Sequence, residues 1–274
     1  MCDACVMNAV KERMLSRRDF FRKAAAVGAA AAVGGTVAAP AAMAAGHGGV
    51  VDMTHKLSPD FPTFFGVPGI SMEPQFNFAE HGFNLFNLAV NEHTATHIDA
   101  PLHFSADGAS VDEIPVSDLV IPLCVIHIHE KAANDPDAQV TPDDLRAWIA
   151  ANGDIPDKAC VAMHSGWETK SGDAAAYVGT DDAGVKHFPG FHIEATQMLL
   201  EETTAAAMAV DTLSLDHGPS PDFATHYAWL PAGRYGIENL AGLADVPAAG
   251  ATLVVGAPTH VGGTGGPARI FAMV

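Results

Sequence analysis

The sequence predicts an α/β fold built as a single domain. Three observations carry that reading. Short apolar runs recur along the chain, two well-delimited helices fall among them, and no long linker or internal repeat divides residues 45–274. The runs at 49–53, 83–90, 121–128, 159–164, 206–210, 251–256 and 270–274 read as strands. Most are continuous and not alternating, as in strands covered on both faces. The first helix begins at Thr141, an N-cap followed by Pro142 at the first helical position and by Asp143 and Asp144 in the first turn; Asn152-Gly153 ends it. The second covers 193–202, with apolar residues at 195, 198 and 199 on one face.

The front of the chain has a different character. Residues 13–23 read RMLSRRDFFRK, an Ala/Val/Gly-rich run follows, and Ala42-Met43-Ala44 is a small-x-small cleavage pattern. Arg17-Arg18 within SRRDFF is a twin-arginine signature, an address for the twin-arginine translocation machinery, which carries proteins already folded. The expectation is a signal peptide over 1–44, a mature domain over 45–274, and a periplasmic or secreted destination. The apolar run is short and Ala-rich against the ~20 strongly apolar residues of a spanning helix.

Of the 14 basic and 32 acidic residues, 8 and 29 fall beyond residue 44, a net charge of about −21 there. A surface that acidic repels phosphate backbones, which excludes nucleic acid as a partner. Cys2 and Cys5 belong to the signal. Cys124 and Cys160 lie in strand-like runs, as buried thiols or as a disulfide pair. No C-x-x-C occurs beyond the signal, so a thiolate zinc site is excluded.

The chemistry concentrates at 93–103, which reads HTATHIDAPLH. Three histidines and an aspartate in eleven residues offer imidazole and carboxylate ligands suited to zinc, manganese or iron. Thr94, Thr96 and Pro101 oppose a helix, so the segment reads as a strand end turning into a loop, with Pro101 fixing the chain before His103. Further along, HYAWLPAGRYGIENL sets His226 twelve residues before Glu238. A carboxylate among Ile237, Leu240 and Leu243 is costly to bury unless it is paired or bound to a cation. By itself the pair is a weak signal, since a solvated glutamate near a helix start is far commoner. Asp211, Ser214, Asp216 and His217 form a polar run that reads either as site-supporting or as a turn. His164-Ser165-Gly166 invites a serine-hydrolase reading, but the nucleophile elbow fails because Met163 stands at its first glycine. GGTGGP at 262–267 has no phosphate-loop lysine and reads as a turn. His127 and His129, with His47, His55, His81, His187, His192 and His260, read as structural.

The motif H-x-G-T-H-x-D-x-P-x-H resembles the hallmark of the cyclase family of metal-dependent hydrolases, which includes bacterial kynurenine formamidase (arylformamidase) and isatin hydrolase. It stands here as His93, Thr96, His97, Asp99, Pro101 and His103, with Ala95 at the usual glycine. VDMTHKLSPDFPTFFG, Ser165-Gly166-Trp167, FPGFHIEAT, VDTLSLDHG and GIENL extend the likeness over nearly all of 45–274. The resemblance implies a mixed central sheet of the swivelling β/β/α type with flanking helices. It implies one or two ions of Zn2+ or Mn2+, with His93, His97 and Asp99 on the first, Asp99 and His226 on the second, and Glu238 shared. It implies His103 as the acid–base residue, Phe64 where formamidases carry a substrate-stacking tryptophan, and Trp167 in the pocket. It implies a homodimer acting on a small aromatic amide, formamide or lactam, by arylformamidase-like or isatin hydrolase-like chemistry. A periplasmic metal- or ligand-binding protein without turnover is the rival reading.

Overall fold

The computed structural model of the protein describes residues 49–274; the predicted signal at 1–44 lies outside the described residues. The strands are β1 (Val50–Asp52), β2 (Ile70–Phe76), β3 (Leu85–Val90), β4 (His97–Asp99), β5 (Val120–His127), β6 (Gln139–Val140), β7 (Cys160–His164), β8 (Gly190–Phe191), β9 (Ala207–Val210), β10 (Tyr235–Glu238), β11 (Ala251–Gly256), β12 (Gly265–Pro267) and β13 (Arg269–Met273). The α-helices are α1 (Phe78–His81), α2 (His129–Ala132), α3 (Pro142–Asn152), α4 (Ala174–Val178), α5 (Ile193–Glu202) and α6 (Ala224–Trp229). All seven predicted apolar runs contain a strand. Both predicted helices form, and Thr141 and Asp144 close the predicted N-terminus of α3 as a reciprocal capping box.

Nine strands make one mixed sheet in the order β1-β13-β11-β5-β7-β9-β10-β4-β12. The centre, β5-β7-β9-β10, is parallel, and the flanking pairs are antiparallel. Residues alternate between two cores. Leu123, Val125, Cys160, Ala162, Ala207 and Ala209 enter one core, and Cys124, Ile126, Val161, Met163, Met208 and Val210 enter the other. This is why the runs are continuous: both faces are covered, so neither needs polar residues. Leu145 and Trp148 of α3, Leu199 of α5 and Trp229 of α6 cover the second face.

The first core contains Ile98 of β4 together with Ile270 and Ala272 of β13, strands near opposite ends of the order. The sheet therefore curls. The chain closes the curl covalently, because β12 pairs with β4 at one end, only Ala268 intervenes, and β13 then pairs with β11 and β1 at the other. The Ala268 amide donates to Thr96 at this joint. The strand end expected within 93–103 is β4, whereas β10 escaped prediction because it is short and gives its second face to Gly236 and Glu238.

Residues 72–88 form a separate compact unit in which strands β2 and β3 pair around α1. Asn77 caps α1 by accepting from the Glu80 amide, and Gly82, at φ 79°, ends it.

Cys124 and Cys160 are both free and buried, on opposite faces of the sheet, so the disulfide alternative is excluded. Burial pushes the Cys124 thiol up to about 12 and raises that of Cys160 as well. A maleimide is expected to label neither cysteine in the folded protein and both after denaturation; mass spectrometry on the two samples checks this.

Candidate metal centre

The site is built where β4 and β10 run side by side. Their register sets Glu238 opposite His97 and Gly236 opposite Asp99. His97 and Asp99 are two residues apart on a strand, so they share a face, while Ile98 points into the first core. Glu238 falls on that same face by its pairing with His97. On its other side β4 pairs with β12, which brings Gly265 opposite Asp99. Asp99 is thus flanked by glycine on both strands. A Cβ on Gly236 would lie 3.2 Å from Asp99 Oδ2, and one on Gly265 would lie 2.8 Å from the His93 ring.

The donors converge. His93 Nδ1 donates to Asp99 Oδ1 (2.6 Å). His97 Nε2 stands 3.3 Å from both Asp99 Oδ1 and Glu238 Oε2. His226, from α6, places Nε2 at 3.2 Å from Glu238 Oε1 and 3.8 Å from Asp99 Oδ2. The five predicted ligands therefore meet. His97, Asp99, His226 and Glu238 are all buried.

Each deep imidazole is held by its other nitrogen. His97 Nδ1 donates to the Ala95 carbonyl (2.9 Å), and His226 Nδ1 donates to Asp216 Oδ2 (2.6 Å). Asp216 also accepts from the Thr225 and His226 amides. These outer partners fix the ring orientation and turn Nε2 toward the carboxylates. The polar run at 211–217 is thereby resolved at Asp216, which supports the site.

The electrostatics demand positive charge. Burial would lower His97 and His226, but Asp99 and Glu238 reverse this for His97, and Asp216 with Glu238 for His226, lifting each to about 10. Burial would raise Asp99, yet the His97 charge and the hydrogen bond from His93 hold it well below the usual carboxylate range. In the structure two imidazolium protons neutralise two buried carboxylates. A divalent cation supplies the same two charges and releases the protons. Geometry supports the exchange: His97 Nε2 and Asp99 Oδ2 are buried without any hydrogen-bond partner. The donor set fits a divalent metal.

His103 sits in the 3₁₀ turn Pro101–Phe104, which opens with Pro101 as expected. Its ring stacks on His93 at 3.7 Å between centroids. Burial leads the shift that brings it down to about 4, against the pull of Asp99, so His103 is a neutral imidazole at pH 7.

A cavity of about 260 Å³ opens over these groups, lined by His93, His97, His103, His226 and Glu238 together with Phe64, Phe65, Phe104, Leu213 and Phe223. Phe64 lines it as predicted, with Lys186 Nζ 4.3 Å from the centre of its ring. Trp167 does not, and its expected pocket role is corrected. It is buried behind the wall with Tyr177, Phe188 and Leu213, and its indole donates to the Tyr177 carbonyl. Phe104 and Phe223 were missed; an isolated Phe beside a polar residue carries no signal in sequence.

Three cavity-lining residues that are not glycine have left-handed backbones: Ala95 (φ 51°), Phe223 (φ 52°) and Asn239 (φ 56°). Asn239 donates its side-chain amide to the Ala95 carbonyl, and its own carbonyl accepts from the Thr96 hydroxyl, so the end of β10 ties down the turn that orients His97.

Fold and donor set define a hydrolase that depends on a divalent metal. The sequence model of the Cyclase family matches residues 51–217, and the chain belongs to that family. The isatin hydrolase of Roseibium aggregatum is 30% identical over 243 residues, 82% of this chain and 91% of its own. The kynurenine formamidase of Salinibacter ruber is 25% identical over 225 residues, 80% of this chain and 95% of its own. Among solved structures, isatin hydrolase A from Labrenzia aggregata, bound to benzyl benzoate, superposes with a TM-score of 0.77 at 34% identity, covering 82% of this chain and 93% of that one.

Two outcomes test this geometry. Ala95→Gly relieves a left-handed alanine at a cost of ~1–2 kcal/mol and gives back part of it as unfolded-chain entropy, so a net gain of about 0.5–1 kcal/mol is expected in urea unfolding. Asp211 is buried and accepts from the Ser165 amide and hydroxyl. Burial raises its carboxyl to about 6 despite those hydrogen bonds. The folded value lies above the unfolded one of about 3.9, so its stabilising share is full below that pH and lost as pH rises through 6. Relative to Asp211→Asn, the wild type should therefore lose on the order of 2 kcal/mol between pH 4 and 6.5. A constant difference across that range would contradict the assignment.

Proposed function

We propose that this chain hydrolyses a cyclic aromatic amide of the isatin type at a centre holding one or two zinc or manganese ions. The carrying observation is a single cavity that sets a carboxylate–imidazole cluster beside a phenylalanine wall. The ring of the substrate stacks on Phe64 and Phe223, and its carbonyl faces the cluster. His93, His97 and Asp99 would hold the first ion, Asp99 and His226 the second when two bind, with Glu238 shared between them. When bound, the ion polarises the carbonyl and lowers the pKa of water toward 7. His103, neutral at pH 7, takes a proton from the attacking water and returns it to the leaving nitrogen. The phenylalanines exclude bulk water from that transfer. Both the curated isatin hydrolase and the superposed isatin hydrolase structure support a lactam substrate.

A second reading is arylformamidase activity on N-formylkynurenine. It is favoured by the kynurenine formamidase likeness and by an aromatic residue, Phe64, at the stacking position. Export to the periplasm by the twin-arginine route belongs to the same proposal and rests on the SRRDFF signature. Homodimeric assembly belongs to it through the family resemblance.

The deciding assay follows isatin and N-formylkynurenine side by side by absorbance with zinc or manganese present. Isatin turnover is expected, abolished by chelator and by His97→Ala. His103→Ala should cut kcat by about 10²–10⁴-fold while leaving bound metal unchanged. Loss of metal in that variant would make His103 a ligand. Stoichiometric metal without turnover of either compound would favour the non-catalytic binding protein.

A further inference from the structure

A second group of imidazoles lies outside the cavity. His127 is the last residue of β5 and His164 the last of β7, and the two are direct register partners. His129 opens α2 two residues after His127. The ring centroids of the three lie 5.0–5.9 Å apart, and one nitrogen from each can be chosen so that all lie within 4.8 Å of one another. The Nδ1 atoms of His127 and His164 are 2.8 Å apart. Among the described residues no carboxylate completes the set. The cluster sits at the C-terminal ends of two parallel strands, where open α/β sheets present ligand sites.

We propose that His127, His129 and His164 form a second metal site, specific for a borderline divalent ion of the zinc, copper or nickel class. The proposal is independent of the hydrolytic reading. Three imidazoles without carboxylate suit those ions and are poor ligands for manganese, magnesium or calcium. Tetrahedral zinc with Zn–N bonds of ~2.0–2.1 Å sets its nitrogen ligands about 3.3 Å apart, so His127 and His164 need to open by roughly half an ångström and His129 to turn in. The site can make that adjustment from one side only. His164 is buried and fixed, since its carbonyl accepts from the Ile128 amide and the next residue, Ser165, is bound to Asp211. His127 and His129 are exposed, so their rings can shift without disturbing the core.

The ligands are ready in protonation as well. Burial, with the neighbouring imidazoles adding to it, lowers His127, and it brings His164 down to about 4. Both rings are neutral at pH 7. One of the facing Nδ1 atoms carries the proton of their mutual hydrogen bond, and that proton passes to the Nε2 of the same ring as the ion enters, with no net release. Three neutral ligands leave the ion with its full charge and a fourth position for water. Bound there, it clasps β5 and α2 to the end of β7.

The test counts zinc. The full chain is saturated with Zn2+, dialysed and assayed by elemental mass spectrometry, in parallel with His129→Gln and with His127→Gln/His129→Gln. Both substitutions fall on exposed side chains, and circular dichroism confirms folding. The wild type is expected to hold one ion per chain more than the double variant, with at least tenfold weaker binding of that ion in His129→Gln. Turnover of the preferred amide should be unchanged in both, whereas His97→Ala should keep this ion. A Cu2+-loaded wild type should show an electron paramagnetic resonance signal with nitrogen ligation that is missing from the double variant. Equal zinc stoichiometry in wild type and double variant would overturn the proposal and leave a hydrogen-bonded histidine pair only.

Discussion

Two carboxylates are buried side by side in this protein, and the surrounding structure is arranged around their charge. Asp99 and Glu238 lie on adjacent strands in a low-dielectric region, where uncompensated negative charge is prohibitive. His97 and His226 supply the compensation as imidazolium ions, each drawn up to about 10. That state is a stand-in for a dication. Its two protons occupy the electrostatic role of the metal, while one nitrogen and one oxygen stay without hydrogen bonds. The same charge demand explains why Asp216 sits behind His226 and the Ala95 carbonyl behind His97: each holds an Nδ1 proton and leaves Nε2 for the centre.

Such an arrangement has to be enforced, because charged groups left free would relax toward water. The curl of the sheet enforces it. A single run of chain, β12 through β13, stitches one end of the sheet to the other, and β4 is held between β10 and β12. The left-handed backbones of Ala95, Phe223 and Asn239 are tolerated because the fold around them is over-determined, with Asn239 bonded to both Ala95 and Tyr177. The cavity wall carries both left-handed residues (Ala95, Phe223, Asn239) and unsatisfied polar atoms (on Thr94, His97 and Ser214).

The two histidine groups of the molecule differ in kind. The first is mixed with carboxylates, buried and charged, which suits a hard or borderline ion that must polarise a carbonyl. The second is all imidazole and half open to solvent. His103 belongs to neither group in character: it stacks on His93 and is held neutral by burial.

Much of this was legible in the sequence. The continuous apolar runs marked the strands of the sheet because residues covered on both faces have no polar period to show. Thr141-Pro142 marked the start of α3 because caps are local chemistry. The eleven-residue cluster from His93 to His103 announced a metal because its ligands come from one short segment. The limits were equally physical. β10 is too short, and too polar on one face, to read as a strand. Glu238 looked like a solvated glutamate until its register against His97 was known. Trp167 looked like a pocket wall, although its indole is spent on Tyr177 behind that wall. The facing of His127 against His164 depends on two strands thirty-seven residues apart ending at the same level. The sequence by itself determined which residues have the chemistry to bind a metal and where the chain forms its main helices and strands, because those are properties of single residues and of short spacings. Only the tertiary structure decided which of those residues meet, with what partners and in what protonation state, because register, curl and burial are set by the whole sheet at once.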